Sequence, residues 1–138
     1  PGPLTVGPAS KAPDMIWAGW SVCGLCIECY VGTNMRRGMY CPLSDGVGCD
    51  QESLKAALHA AMELWKESQG LYVYCMGGRS RSTSFAAGLL TLAGHFTSYD
   101  EAFNHVAKTH PSTGSMPEPR GSIKAATEAM LAKTQVAA

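Results

Sequence analysis

Between Leu71 and Leu92 an apolar run suited to extended structure passes directly into a short, basic, glycine-bearing loop, and from there into an apolar run with helical spacing. Leu71-Tyr72-Val73-Tyr74 consists of residues that favour a buried pleated strand. Phe85, Ala86, Leu89, Leu90 and Leu92 mark the helix that follows. The joint between them is Cys75-Met76-Gly77-Gly78-Arg79-Ser80-Arg81. A loop that leaves a strand and enters a helix aims several backbone N–H groups, and the positive end of the helix dipole, at one point. Such a point binds an oxyanion. Gly77 and Gly78 let the backbone curl without side chains in the way, and Arg81 can fork two hydrogen bonds onto phosphate oxygens. At the mouth of the cradle stands a cysteine.

The chain has 138 residues, which suits one compact domain, and its 46% hydrophobic and 16% charged content suits a folded core. Eleven basic residues offset eleven acidic ones. No global field therefore recruits nucleic acid or anionic lipid. Six cysteines occur without an apolar leader and cleavage site, and read as reduced thiols in a cytoplasmic protein. The longest uncharged stretch, from Ser82 to Tyr99, carries too much Ser, Thr, Gly and His for a membrane span. Pro1-Gly2-Pro3-Leu4 and the further prolines up to Pro13 read as an extended arm, residues 1–14, outside a folded domain of residues 15–138.

Within Met15 to Tyr30, apolar runs broken by Gly19 and Gly24 predict two short strands, and Met39-Tyr40-Cys41 predicts a third stopped by Pro42. Leu43-Ser44-Asp45-Gly46-Val47-Gly48 predicts a sharply turned loop. Leu54, Leu58, Met62 and Trp65 share one stripe, so residues 51–68 form an amphipathic helix capped by Asp50 and stopped by Gly70. Ser98-Tyr99-Asp100-Glu101 is a capping box for a helix that ends near His110-Pro111. A last helix presents Ile123, Ala126, Thr127 and Met130 on one face. One strand-helix-strand crossover among these elements predicts an α/β fold: a small, mostly parallel central sheet of four to five strands flanked by helices.

The amides that hold an oxyanion also favour a thiolate, so Cys75 is expected to ionise more readily than a free thiol. A thiolate beneath a bound phosphoryl group attacks phosphorus in line, forming a phosphocysteine whose oxygens stay clamped by the loop and Arg81. No metal or other cofactor is needed for that step.

With five residues between Cys75 and Arg81, preceded by an apolar strand and followed by an apolar helix, the chain resembles the cysteine-dependent protein tyrosine phosphatase superfamily. Cys75, Gly78, Ser80, Arg81 and Ser82 match the pattern of its dual-specificity branch. The resemblance extends over roughly Met15 to Met130 and implies a protein tyrosine phosphatase-like fold. It also implies a phosphate loop of Met76, Gly77, Gly78, Arg79, Ser80 and Arg81. Asp45, thirty positions before Cys75 in Pro42-Leu43-Ser44-Asp45-Gly46, then matches the general acid, a role worth ~10²–10⁴-fold in rate. Ser82 matches the hydroxyl that assists breakdown of the phosphocysteine. The implied substrate is a phosphorylated protein or peptide, with phosphate or another oxyanion as ligand.

Departures matter too. Tyr74 stands where the family usually has histidine, which keeps open a phosphate-binding pseudophosphatase with little turnover. A phosphatase of phosphoinositides or RNA 5′-phosphates is a further alternative. The family's helix between the first two strands is expected to be missing or reduced between Trp20 and Val22. Asp50 rivals Asp45 as the acid but precedes a helical run, which suits a cap better. Cys23, Cys26 and Cys29 lie in an apolar run with no completing ligand module and read as structural, not metal-binding. Cys41 and Cys49 are candidates for a disulfide with Cys75 under oxidation. Arg36 and Arg37 read as a solvated turn or as flanks of the phosphate site, and Trp17, Trp20 and Trp65 as core.

Overall fold

Strands β1 (Leu4–Pro8), β2 (Ser21–Cys26), β3 (Gly38–Leu43) and β4 (Leu71–Cys75) form one sheet in the spatial order β1-β4-β2-β3, with every pairing parallel. The structure, a computed structural model, describes residues 2–26, 38–44, 48–77, 79–111, 113–114 and 117–137. The register sets Pro8 beside Cys75, Gly24 beside Tyr74 and, past a bulge, Cys26 beside Leu43. The carboxyl ends of the strands thus share one edge, where open α/β sheets hold their ligands. β4 is covered on both faces, and all five of its residues are buried. That is why it reads as a continuous apolar run rather than an alternating one.

Among the described residues five helices flank the sheet: α1 (Ala12–Trp17, after a 3₁₀ turn at Ala9–Lys11), α2 (Gln51–Glu67), α3 (Arg81–Leu92), α4 (Tyr99–Thr109) and α5 (Arg120–Ala137). α1 packs on β2 and β4, while α2, α3 and α5 pack on one another and α4 on α3. α3 is the centre, buried from Arg81 to Leu89. A Cβ on its Gly88 would lie 2.8 Å from Thr127 Oγ1 and 3.2 Å from Leu58 Cδ2, so α2 and α5 approach α3 more closely than a side chain there allows. The helix starts read from sequence are present. The Asp50 carboxylate accepts from Ser53 N–H at 2.9 Å, and Ser98 Oγ accepts from Glu101 N–H at 3.2 Å. Among the described residues no helix is long and apolar enough to cross a membrane.

The N-terminal arm is corrected. Residues 4–8 are a sheet strand, anchored where Trp65 Nε1 donates to Gly2 O at 2.8 Å and Leu71 N–H donates to Pro3 O at 2.9 Å. The prolines are compatible because β1 is an edge strand with one free side. Met15 to Trp17 is helical rather than extended, because Pro13 and Asp14 sit in a helical first turn. This also corrects the expected gap, since α1 lies between β1 and β2 and upstream of Trp20. Residues 27–30 lie outside the described residues.

β3 runs through Pro42 to Leu43 instead of stopping before it, again on a sheet edge. Gly70 follows α2 without a left-handed backbone; a Cβ there would lie 2.8 Å from the Trp20 ring. Of the three tryptophans, Trp65 is core and Trp20 packs against it, whereas Trp17 is 93% exposed at the end of α1.

Candidate active site

β4 delivers Cys75 to the carboxyl edge of the sheet, and α3 begins six residues later at Arg81. Strand alternation places Leu71, Val73 and Cys75 on one face and Tyr72 and Tyr74 on the other. The Cys75 face is that of α3, because Cys75 Sγ and Ser82 Oγ are in hydrogen-bond contact at 3.4 Å. Both residues are buried, Ser82 completely.

The loop between them is tied down from below. Thr83 Oγ1 donates to Arg79 O at 2.8 Å and Ser80 O at 3.1 Å. From the far side Gly114 N–H donates to Arg79 O at 2.8 Å. With these carbonyls drawn toward Thr83 and Gly114, the turn is fixed on the α3 N-terminus, while Met76, Gly77 and Arg79 face solvent. Ser80 Oγ is buried and has no hydrogen-bond partner among the described residues. A buried hydroxyl of this kind is normally satisfied, which suits a loop built to meet a ligand.

Arg81 is 5% exposed, and its Nη1 donates to Leu43 O at 3.0 Å. The arginine that sequence assigns to the phosphate loop thereby also holds the end of β3, two residues before Asp45. Asp45 and Gly78, and with them Arg36 and Arg37, lie outside the described residues. Asp50 is the α2 cap; its hydrogen bonds from the Ser53 backbone and side chain hold its carboxyl below the usual range.

The Tyr72 and Tyr74 rings stack at 6.1 Å on the face away from Cys75 Sγ, and Tyr72 Oη donates to Pro8 O at 2.7 Å. Two glycines make room for them. A Cβ on Gly7 would meet Tyr72 Oη, and one on Gly24 would lie 2.5 Å from Tyr74 Oη. Burial, then the nearby Cys75 and Tyr74 charges, pushes the Tyr72 phenol up to about 12, so it stays a neutral donor. Burial likewise raises the thiols of Cys23, Cys41 and Cys49, all free.

Pattern reading did not single out Thr83, Gly114, Glu118 and Ser122. Thr83, two residues after Arg81, was open to detection as a back-bonding hydroxyl in the first helical turn. Glu118 and Ser122 gave no local signal. They meet the segment before α2, where Cys49 N–H donates to Ser122 Oγ at 3.1 Å and Ser122 Oγ donates to Glu118 Oε2 at 2.6 Å.

Neither a protein-family model nor a curated protein sequence matches the chain. Solved structures do match it. Human DUSP28 superposes with a TM-score of 0.72 at 23% identity, covering 94% of this chain and 94% of that one. Tk-PTP in its active form gives 0.71 at 19% identity over 91% and 90% of the two chains. PTPMT1 in complex with PI(5)P gives 0.73 at 17% identity over 94% and 91%. The chain has the α/β fold of these proteins, with a parallel sheet of four strands among the described residues, within the four to five expected from the sequence.

Proposed function

We propose that the chain is a cysteine-dependent phosphatase of the dual-specificity type. It hydrolyses phosphate monoesters, phosphotyrosine and phosphoserine or phosphothreonine in proteins, through a phosphocysteine. The observation that carries this reading is the 3.4 Å contact between Cys75 Sγ and Ser82 Oγ at the start of α3, with buried Arg81 beside it. The fold shared with the phosphatase structures supports it.

In this mechanism the Met76–Arg81 loop and the Arg81 guanidinium bind the phosphoryl oxygens. The Cys75 thiolate attacks phosphorus as the bond to the leaving oxygen breaks, and Asp45 gives that oxygen its proton. Asp45, now a carboxylate, takes a proton from water as the water oxygen attacks phosphorus. The phosphorus–sulfur bond breaks, and the Ser82 hydroxyl donates to the returning thiolate. Inorganic phosphate leaves and Asp45 is again protonated.

Turnover of para-nitrophenyl phosphate, abolished in Cys75→Ser, tests the reading. Tight oxyanion binding without turnover in the unmutated protein would favour a pseudophosphatase instead. That second reading draws on Tyr74, whose ring lies on the face away from the sulfur and carries no cationic nitrogen. PTPMT1 was seen with PI(5)P, so a panel of phosphopeptides, phosphoinositides and 5′-phosphorylated RNA decides the substrate class. Faster turnover of the lipids or RNA would displace the protein substrate.

A further inference from the structure

We infer that Thr83 is a positioning residue for oxyanion binding: by holding the carbonyls of Arg79 and Ser80, its hydroxyl aims the amides of Ser80 and Arg81 at the anion. The inference rests on the phosphatase reading above.

Thr83 is completely buried in the first turn of α3, two residues after Arg81. Its Oγ1 donates to Arg79 O at 2.8 Å and to Ser80 O at 3.1 Å, the carbonyls four and three residues back. One hydroxyl proton serves both, so the bond is three-centred and favours the nearer Arg79 O. Each carbonyl also has a second donor. Gly114 N–H reaches Arg79 O at 2.8 Å from beyond α4, and Ser84 N–H reaches Ser80 O at 2.9 Å within α3.

A trans peptide unit is planar, so its C=O and N–H point in opposite directions. Arg79 O belongs to the unit that carries the Ser80 N–H, and Ser80 O to the unit that carries the Arg81 N–H. Drawing both carbonyls toward Thr83, on the helix side, therefore sends both amides out past the N-terminus of α3. There β4 delivers Cys75, its Sγ 3.4 Å from Ser82 Oγ. Amides at this place on a helix have no intrahelical partner and are the groups that receive an oxyanion. Were either unit to turn over, a carbonyl oxygen would face the anion and repel it. The hydroxyl does nothing for the helix itself, because back-bonding of this kind slightly destabilises one, and a valine would fill the same space. Its effect is on the loop.

The test is Thr83→Val, which keeps the shape and removes the donor, with Thr83→Ser restoring it. In calorimetric titration with tungstate, Thr83→Val should bind roughly three- to tenfold more weakly, the loss that one neutral hydrogen bond carries, and Thr83→Ser within about twofold of the unmutated protein. The pH at which iodoacetamide alkylates Cys75 should move up in Thr83→Val and return in Thr83→Ser, because the same amides favour the thiolate. A lower urea midpoint with unchanged tungstate affinity and an unchanged alkylation profile would mean that Thr83 only braces α3, and would overturn the inference. A measurement on the unmutated protein needs no variant to fold: the Ser80 and Arg81 amide proton resonances should move downfield on addition of inorganic phosphate. If phosphate protects Cys75 from alkylation while those two amides stay in place, the inference alone fails. If the unmutated protein binds neither tungstate nor phosphate, and Cys75 reacts as an ordinary thiol, the phosphatase reading fails and the inference with it.

Discussion

Under the proposed phosphatase mechanism, Ser82→Ala should separate the two chemical steps. The Ser82 hydroxyl is fully buried and 3.4 Å from Cys75 Sγ, close enough to donate to a thiolate. A hydrogen bond to a charged group contributes ~1.5–3 kcal/mol. At 1.36 kcal/mol per factor of ten, its loss slows the step that uses it by roughly 10- to 150-fold. When the phosphocysteine forms, charge leaves sulfur and the hydroxyl has nothing to stabilise. When the phosphocysteine breaks, charge returns. Ser82→Ala should therefore lower kcat by that factor while the first step, followed where both proteins are ionised at Cys75, stays within about threefold. Rapid-quench kinetics with para-nitrophenyl phosphate should show a burst of one nitrophenol per active site, and acid-quenched protein should carry the phosphoryl group on Cys75. A fall in kcat without a burst, or unchanged kcat, would refute the role given to this hydroxyl.

Gly24→Ala sets a methyl 2.5 Å from the Tyr74 hydroxyl in a closed sheet face, and should cost about 1–3 kcal/mol in urea unfolding. An unchanged midpoint would show that the tyrosine ring moves freely there. Deleting residues 2–8 removes β1, the acceptors of the Trp65 indole and Tyr72 hydroxyl, and one neighbour of the strand that ends in Cys75. Cooperative unfolding should be lost or its midpoint sharply lowered, and a truncated chain as stable as the original would return residues 1–14 to the status of an arm. Burial lowers the His110 pKa, so between the folded value and the ordinary value near ~6.5 the unfolded chain binds more protons. Stability should then rise with pH across that window and fall as pH drops through it. His110→Gln should flatten this slope in chemical denaturation at several pH values, and an unaltered slope would locate the titrating group elsewhere.

Much of the fold was written in short-range pattern. β4, its loop and α3 follow one another in sequence, and the caps at Asp50 and Ser98 each act on an amide three residues away. The candidate site was legible in the same way as far as Cys75, Arg81 and Ser82, which sit within one strand-to-helix joint. α1 was misjudged because its six residues carry too little periodicity to distinguish a helix from a strand. The proline-rich start was misjudged because prolines mark an arm in an isolated chain and are equally at home on a sheet edge.

The amino-acid order alone thus settles β4, the capped helices α2 and α4 and which residues gather at the turn after β4, because capping, turn chemistry and hydrophobic spacing act over a few residues. Chain closure settles the rest. The Gly2 contact with Trp65 spans 63 residues, the Leu43 contact with Arg81 spans 38, and the Cys49 contact with Ser122 spans 73. A backbone carbonyl or amide is the same group at every position, so no local pattern marks the one that a distant side chain will hold. Packing alone selects it, by bringing the carboxyl ends of the strands and the N-termini of α3 and α5 to one edge.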